Sequence, residues 1–281
     1  TLGYGEMEFS GVVFPDTIGQ LQELVRYAIS ANVKLVPSGG RTGLSGGAVA
    51  SNGEVVVSFD RMNQILDFSQ QDRIVTCQPG VITATLQEFA QQRGLFYPVD
   101  FASSGSSQIG GNVSTNAGGI KVIRYGLTRD WIAGLKVVTG TGALLDCNAG
   151  LVKNATGYDF RHLLIGAEGT LGLLAEIDVQ LTAAPEPQVV MVMGVPNVGD
   201  LLQILQTFNS GLTLSAFEFF SDVALQKVRE HRGLPAPLAQ AEAFYALVEF
   251  DQSANSAAEA AFAACLASGW VTDGVLSQSE A

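Results

Sequence analysis

The stretch Ser103–Ile120, SSGSSQIGGNVSTNAGGI, carries no charged residue and almost nothing large. It is too polar for a core strand. It is also too rich in glycine for a regular helix, where each interior glycine costs about 1 kcal/mol relative to alanine. Yet its detail is not that of a linker. It holds two Gly-Gly pairs, Gly110-Gly111 and Gly118-Gly119, and two asparagines, Asn112 and Asn116. A second run of this kind, VPSGGRTGLSGGAV from Val36 to Val49, overlaps a strand-like VKLVP. It lacks the Gly-Lys-Ser/Thr of a P-loop, and no long helix with a following acidic residue makes it a dinucleotide fingerprint. Glycine lets backbone N–H groups approach an anion without interference from Cβ, and hydroxyls and amides add neutral donors. Two such loops about sixty residues apart imply a large phosphorylated cofactor lying against the main chain. The alternative is a pair of packed glycine turns with no ligand.

The rest of the composition narrows the classes. The chain has 281 residues, 47% of them hydrophobic, enough for one large domain or two. Its formal charge of −12 argues against nucleic acid or anionic lipid as a partner. No apolar run approaches the ~20 residues of a membrane span, and the start TLGYGEMEFSG does not read as a secretory signal. Cys77, Cys147 and Cys265 lie far apart in apolar settings. They read as core thiols of a reducing compartment, and a cytoplasmic location, with at most peripheral membrane association, is expected.

Along the chain, Asp16 is expected to cap a helix whose apolar face holds Leu21, Leu24, Val25, Ala28 and Ile29. Strands are expected at EVVVSFD, QILDFS and RIVTCQ, followed by a helix at TATLQEFAQQRG closed by Gly94. A hairpin turns at Gly140-Thr141-Gly142, and LLAEIDVQL is a further strand. Pro185 and Pro187 mark a domain boundary. Beyond them strands and helices alternate in an order that suits an antiparallel sheet with helices on one face. The fold class is α+β.

PSGGRTGLSGGAV, PVDFASSGSSQIGGNVSTNAGG, RYGLTRDWIAGLKVV and NATGYDFRHLLIGAEGTLGLLAEIDVQL resemble, in order and spacing, the FAD-binding domain of the vanillyl-alcohol oxidase superfamily. Within it the chain looks like the FAD-linked D-2-hydroxy acid dehydrogenases, with RYG, LLDC, NATGYD and LSAFEFF leaning toward the hydroxyglutarate branch. The resemblance implies a two-subdomain FAD-binding domain over residues 1–185 and the first part of an α+β substrate or cap domain over 186–281. By motif, Pro37, Ser38, Gly39, Gly40, Arg41, Thr42 and Gly43 match the segment around the pyrophosphate. Asp100, Ser104, Gly105, Ser107, Ile109, Gly110, Gly111, Asn112, Thr115, Asn116 and Ala117 match the segment under the flavin and ribityl chain. Gly126, Gly172 and Ile177 match later contacts, the last near the adenine. Arg41 departs from a position usually small or neutral, and its guanidinium adds a charge-assisted contact to phosphate. Neither loop holds the histidine through which some relatives attach flavin, so the FAD is expected to be noncovalent.

The implied reaction is oxidation of a D-2-hydroxy acid, of the D-2-hydroxyglutarate, D-lactate or glycolate type, to its 2-oxo acid. A quinone or an electron-transferring flavoprotein would take the electrons, and a homodimer is allowed. A non-catalytic FAD-binding electron-transfer subunit and a related flavin alcohol oxidase stand as alternatives. His162 and His231 read as structural or solvated, Glu168 as a support of the glycine loops, and Tyr158 and Asp159 as residues that fix a turn. The resemblance puts the catalytic and metal-binding groups downstream of Ala281. The chain is therefore expected to be a fragment that binds FAD, with a divalent metal only in a longer enzyme.

Overall fold

The computed structural model describes residues 9–148, 151 and 153–277. The chain forms two compact units. One comprises residues 1–119 and 127–184, the other 120–126 and 185–281.

The first unit begins with β1 (Phe9–Val13), α1 (Ile18–Ala31), β2 (Leu35–Ser38) and β3 (Glu54–Ser58). The three strands form a parallel sheet in the order β1-β3-β2. Leu21 and Val25 of α1 pack on Val57, Phe59 and Met62. The helix differs from expectation at both ends. Thr17, not Asp16, is the N-cap: its hydroxyl accepts from the Gln20 amide at 3.2 Å, while Asp16 offers its backbone N–H to Gln20 Oε1. Ile29, placed on the apolar face, is 57% exposed, one step beyond the stripe of Leu21, Val25 and Ala28.

Then come β4 (Ile65–Ser69), β5 (Ile74–Cys77), α2 (Thr83–Gln91), β6 (Leu95–Phe96), α3 (Ile109–Ser114) and α4 (Val122–Tyr125). After α4 the first unit resumes with β7 (Ile132–Thr139), β8 (Leu144–Cys147), α5 (Arg161–Leu164), β9 (Gly172–Gln180) and β10 (Thr182–Ala183). A five-stranded antiparallel sheet runs β4-β5-β9-β7-β8, with the β7–β8 hairpin turning where the glycines require, and β6 pairs with β10. The main core joins this sheet to α2 and α3 through Val75, Leu86, Ile109, Val113, Leu135 and Ile177.

The second unit is an antiparallel sheet of β11 (Gln188–Val195), β12 (Leu214–Ser221), β13 (Phe244–Asp251) and β14 (Gly274–Leu276), in the order β12-β13-β11-β14. Helices α6 (Leu201–Gly211), α7 (Asp222–Arg232) and α8 (Asn255–Ala267) alternate with its strands. Ile204, Phe208, Ala258 and Cys265 from α6 and α8 meet Met191, Met193, Ala246, Val248 and Phe250 of the sheet. By the two-residue period of a strand, Glu249 and Asp251 point to the opposite face. That face receives α4, taken from much earlier in the chain. Helices were expected on one face only.

Candidate cofactor site

The two glycine loops are packed directly on each other. A Cβ placed on Gly40 would lie 2.1 Å from the Ser106 carbonyl oxygen. One on Gly39 would lie 3.3 Å from Gln108 Oε1 and 3.8 Å from the Gly111 Cα. Glu168, held at φ 51°, joins the pair. Its N–H donates to the Ser114 carbonyl at 2.8 Å, and its carboxylate lies against Gly47. Glu168 was expected to hydrogen-bond glycine-loop amides; here its own N–H donates to the second loop and its carboxylate lies beside the first.

A buried polar triad fixes the second loop from beneath. The Thr83 hydroxyl lies 2.7 Å from Ser107 Oγ and accepts from Asn112 Nδ2 at 2.7 Å. Ser107 and Asn112 therefore turn their side chains inward, at 2% and 5% exposure, and leave only backbone for a ligand. Thr83 was missed in the sequence, where VITATL reads as an ordinary helix start. Gln108 donates from Nε2 to Asp60 Oδ1 at 2.8 Å, which leaves its Oε1 buried and unpartnered beside Gly39.

The glycines divide into two kinds. Gly40 meets Ser106, and Gly110 meets Pro79, at 2.5 Å from Cβ to Cβ. They are glycine because protein lies against them. Gly43, Gly105 and Gly111 have nothing within 4 Å of a would-be Cβ. Their Cβ faces are open. This bare backbone, with the unpartnered Gln108 oxygen beside Gly39, is a candidate cradle for a cofactor laid along the chain.

Other expected contacts are distributed unevenly. Pro37 and Ser38 end β2, with Ser38 buried at 2% and Pro37 against Gly169, so they hold the first loop from below. Thr42 follows Arg41 in the exposed part of that loop. The Ser104 carbonyl accepts from the Ala84 N–H, and Asp100 takes a 3.4 Å hydrogen bond from Gln87 while its carbonyl abuts Gly119. Thr115 and Asn116 close α3. Asn116 adopts φ 46° and accepts the Arg129 N–H at 3.0 Å. The Ala117 carbonyl accepts from Thr128. Gly126 ends α4 in the second unit, at φ 75° and ψ −163°, a conformation reserved for glycine.

Three of the residues matched by motif turn their side chains or Cβ faces toward protein. The Ile177 side chain is fully buried in the main core, and its strand runs between β5 and β7. Gly172 is bare because Val137 and the Val138 carbonyl lie against it. Ile109 anchors α3 in the core and presents no side chain to the cradle. A β-branched residue in an alternating strand signals burial as readily as contact.

Arg41 sits at φ 57°, with its side chain 63% exposed and 4.0 Å from Asp60. Arg41→Gly removes the charge and relieves the left-handed backbone. Thermal stability is expected to change by less than about 1 kcal/mol, while FAD affinity falls several-fold through loss of one charged hydrogen bond. Equal affinity in a fluorescence titration would assign the guanidinium to solvent.

Other ionisable groups make contacts within the fold. Arg161 grips Asp159 and donates to the carbonyls of Ile132 and Ala133, and this pairing holds the Asp159 carboxyl below its usual range. Tyr158, by contrast, is 90% exposed and pins nothing by burial. His162 is half exposed, with Nδ1 at 3.3 Å from Arg129, and His231 lies in the last turn of α7. All three cysteines are free and buried, and burial pushes the Cys77 thiol far up, away from reactivity. Among the described residues no cluster of three His, Cys, Asp or Glu could hold a metal, and no helix is long and apolar enough to cross a membrane.

Comparison with known proteins identifies the two domains. Residues 9–148 match the FAD binding domain family, and residues 184–281 match the C-terminal domain of FAD linked oxidases. A D-2-hydroxyglutarate dehydrogenase of Stutzerimonas stutzeri is 58% identical over 96% of this chain and 59% of its own length. The mitochondrial D-2-hydroxyglutarate dehydrogenase of Bos taurus is 37% identical over 95% of the chain and 50% of its own length. The chain thus spans between half and three-fifths of these relatives. Among solved structures, an alkyldihydroxyacetonephosphate synthase superposes with a TM-score of 0.73 at 19% identity, over 93% of this chain and 51% of that one. The 4-ethylphenol oxidase of Gulosibacter chungangensis gives 0.71 at 18%, over 97% and 58%. At such identities the likeness is one of fold. Taken together, the two domain matches and the dehydrogenase relatives show that the chain carries an FAD binding domain and the C-terminal domain of FAD linked oxidases, with homology to D-2-hydroxyglutarate dehydrogenases and a putative D-lactate dehydrogenase.

Proposed function

We propose that the chain serves the FAD-dependent oxidation of a D-2-hydroxy acid, with D-2-hydroxyglutarate the first candidate, to the 2-oxo acid. The observation that carries this reading is the 58% identity to a D-2-hydroxyglutarate dehydrogenase across nearly the whole chain, cradle included. When bound, FAD supplies the acceptor for the hydride from C2 of the acid. The chain's own residues bind and orient it. Gly43, Gly105 and Gly111 give bare backbone, Arg41 adds a positive charge, and the Thr83–Ser107–Asn112 triad keeps the second loop from yielding. Rigid support of this kind lowers the ordering cost of binding. Neither loop contains a histidine, so the cofactor is held without a histidyl bond there. A quinone or an electron-transferring flavoprotein is the proposed acceptor, and the cytoplasm the proposed location.

The test is anaerobic. In an FAD-loaded protein that joins this chain to the catalytic groups expected outside it, D-2-hydroxyglutarate is expected to bleach the flavin band, D-lactate more slowly and the L enantiomers not at all, while this chain alone bleaches very slowly or not at all. Bleaching by none of the D acids, or peroxide formation from a simple alcohol in air, would replace this reading with another flavin chemistry.

A further inference from the structure

Residues 120–126 are flanked on both sides by the first unit, yet they pack as part of the second. The flanks are pinned. The Thr128 N–H and hydroxyl both donate to the Ala117 carbonyl, at 3.2 and 2.7 Å, and Gly119 is pressed against the Asp100 carbonyl. Between them stands α4, four residues long with none buried. One helical turn does not persist unaided.

Side chains of the second unit hold it. Lys121 Nζ lies 3.1 Å from both Glu249 oxygens. Arg124 takes Asp251 with two nitrogens, at 2.7 and 3.1 Å, and donates to Ser215 Oγ at 2.9 Å. Gln188 completes the set: it donates to Asp251 and accepts from Ser215 Oγ at 2.5 Å. The Arg124 hydrogen bonds hold the Asp251 carboxyl below its usual range. In both pairs each partner is less than a quarter exposed, which is true of no other ion pair among the described residues. Buried pairs add little net stability over apolar packing, but two-pronged charge pairs fix position and register closely.

We propose that Lys121 and Arg124 act as a clamp through which the second unit sets the conformation of residues 118–127 and, along the chain, of the cofactor loop ending at Ala117. Glu249 and Asp251 are then positioning residues for FAD without touching it. Released from the clamp, the segment gains conformations that FAD must freeze again, and affinity falls by that entropy. This rests on FAD binding at the loop and on Asn116 and Ala117 bordering the cofactor.

The experiment uses the full chain with Asp251→Asn, Glu249→Gln, their double variant, Arg124→Lys, and Ile204→Val as a control that loosens the second core alone. FAD affinity is read by flavin fluorescence, and trypsin reads exposure of the bonds after Lys121 and Arg124. The double variant is expected to bind FAD about tenfold more weakly, equivalent to about 1.4 kcal/mol. It is expected to be cut faster at those bonds, with saturating FAD restoring protection. Arg124→Lys, which keeps the charge but loses the two-pronged pairing, is expected to fall between wild type and the double variant, and Ile204→Val leaves the affinity unchanged. If the double variant does not fold, the single variants carry the same test at smaller amplitude. Affinity within twofold of wild type in folded variants, or equal weakening by Ile204→Val, overturns the clamp alone. A wild-type chain that binds no FAD overturns the cofactor reading as well.

Discussion

Gly111→Val is expected to abolish measurable FAD binding while the fold survives. A Cβ on Gly111 meets no protein atom within 4 Å, so the side chain enters open space. Within α3, replacing glycine offsets most of the penalty of β-branching. The melting temperature should therefore stay within about 4 °C of wild type, the shift that roughly 1 kcal/mol produces in a domain of this size. On the proposed binding mode that open space takes the cofactor, and two added methyl groups there would strike it. A loss of at least a hundredfold in affinity, about 3 kcal/mol, is the expected result. Its neighbour behaves oppositely. A Cβ on Gly110 falls 2.5 Å from Pro79 Cβ, so Gly110→Ala should lower stability first and binding only through the fold. Paired titration and melting of the two variants separates these roles. Unchanged affinity in Gly111→Val would mean that its bare face looks at bulk water.

That contrast marks what could be read from the sequence. Glycine pairs announce that something lies close to the backbone, and both loops stand where the pairs occur. They do not announce whether the neighbour is ligand or protein. Gly40, Gly110 and Gly172 are backed by protein, while Gly43, Gly105 and Gly111 are open, and nothing in their local sequence distinguishes them. Regular elements were legible because their periods are local: the strand at 54–58, the hairpin after Ile132 and the alternation beyond Pro187 all formed. The clamp was not legible. Lys121 and Arg124 find their partners 128 and 127 residues later, and a four-residue helix carries no periodic signal. Ile177 matches by motif a contact near the adenine, and its alternation within β9 already points its side chain to the core.

Gly40→Ala is expected to destabilise the first unit by roughly 3–5 kcal/mol, since the overlap is too large for rotamer change to relieve. Its Cβ would stand 2.1 Å from the Ser106 carbonyl oxygen and 2.9 Å from the Ser107 Cα, both main-chain atoms. The second loop cannot retreat cheaply. The Ser107 N–H and carbonyl are bonded to Ser103 and Thr83, and its hydroxyl is locked in the buried triad. The first loop cannot retreat either, because Ser38, two residues earlier, is paired with Ser58 across β2 and β3. Against a typical total stability of 5–15 kcal/mol, this removes much of the margin. The two tryptophans give the readout, since Trp131 packs on the core of the first unit and Trp270 on that of the second. In single-tryptophan versions, the denaturation midpoint seen by Trp131 should fall sharply and that seen by Trp270 less. Gly39→Ala, whose Cβ has the Gln108 side chain at 3.3 Å and the Gly111 Cα at 3.8 Å as its nearest neighbours, should lose much less. A Gly40→Ala protein with an unchanged Trp131 midpoint would show that the loops part easily, and the rigid cradle would have to be abandoned as the basis of cofactor affinity.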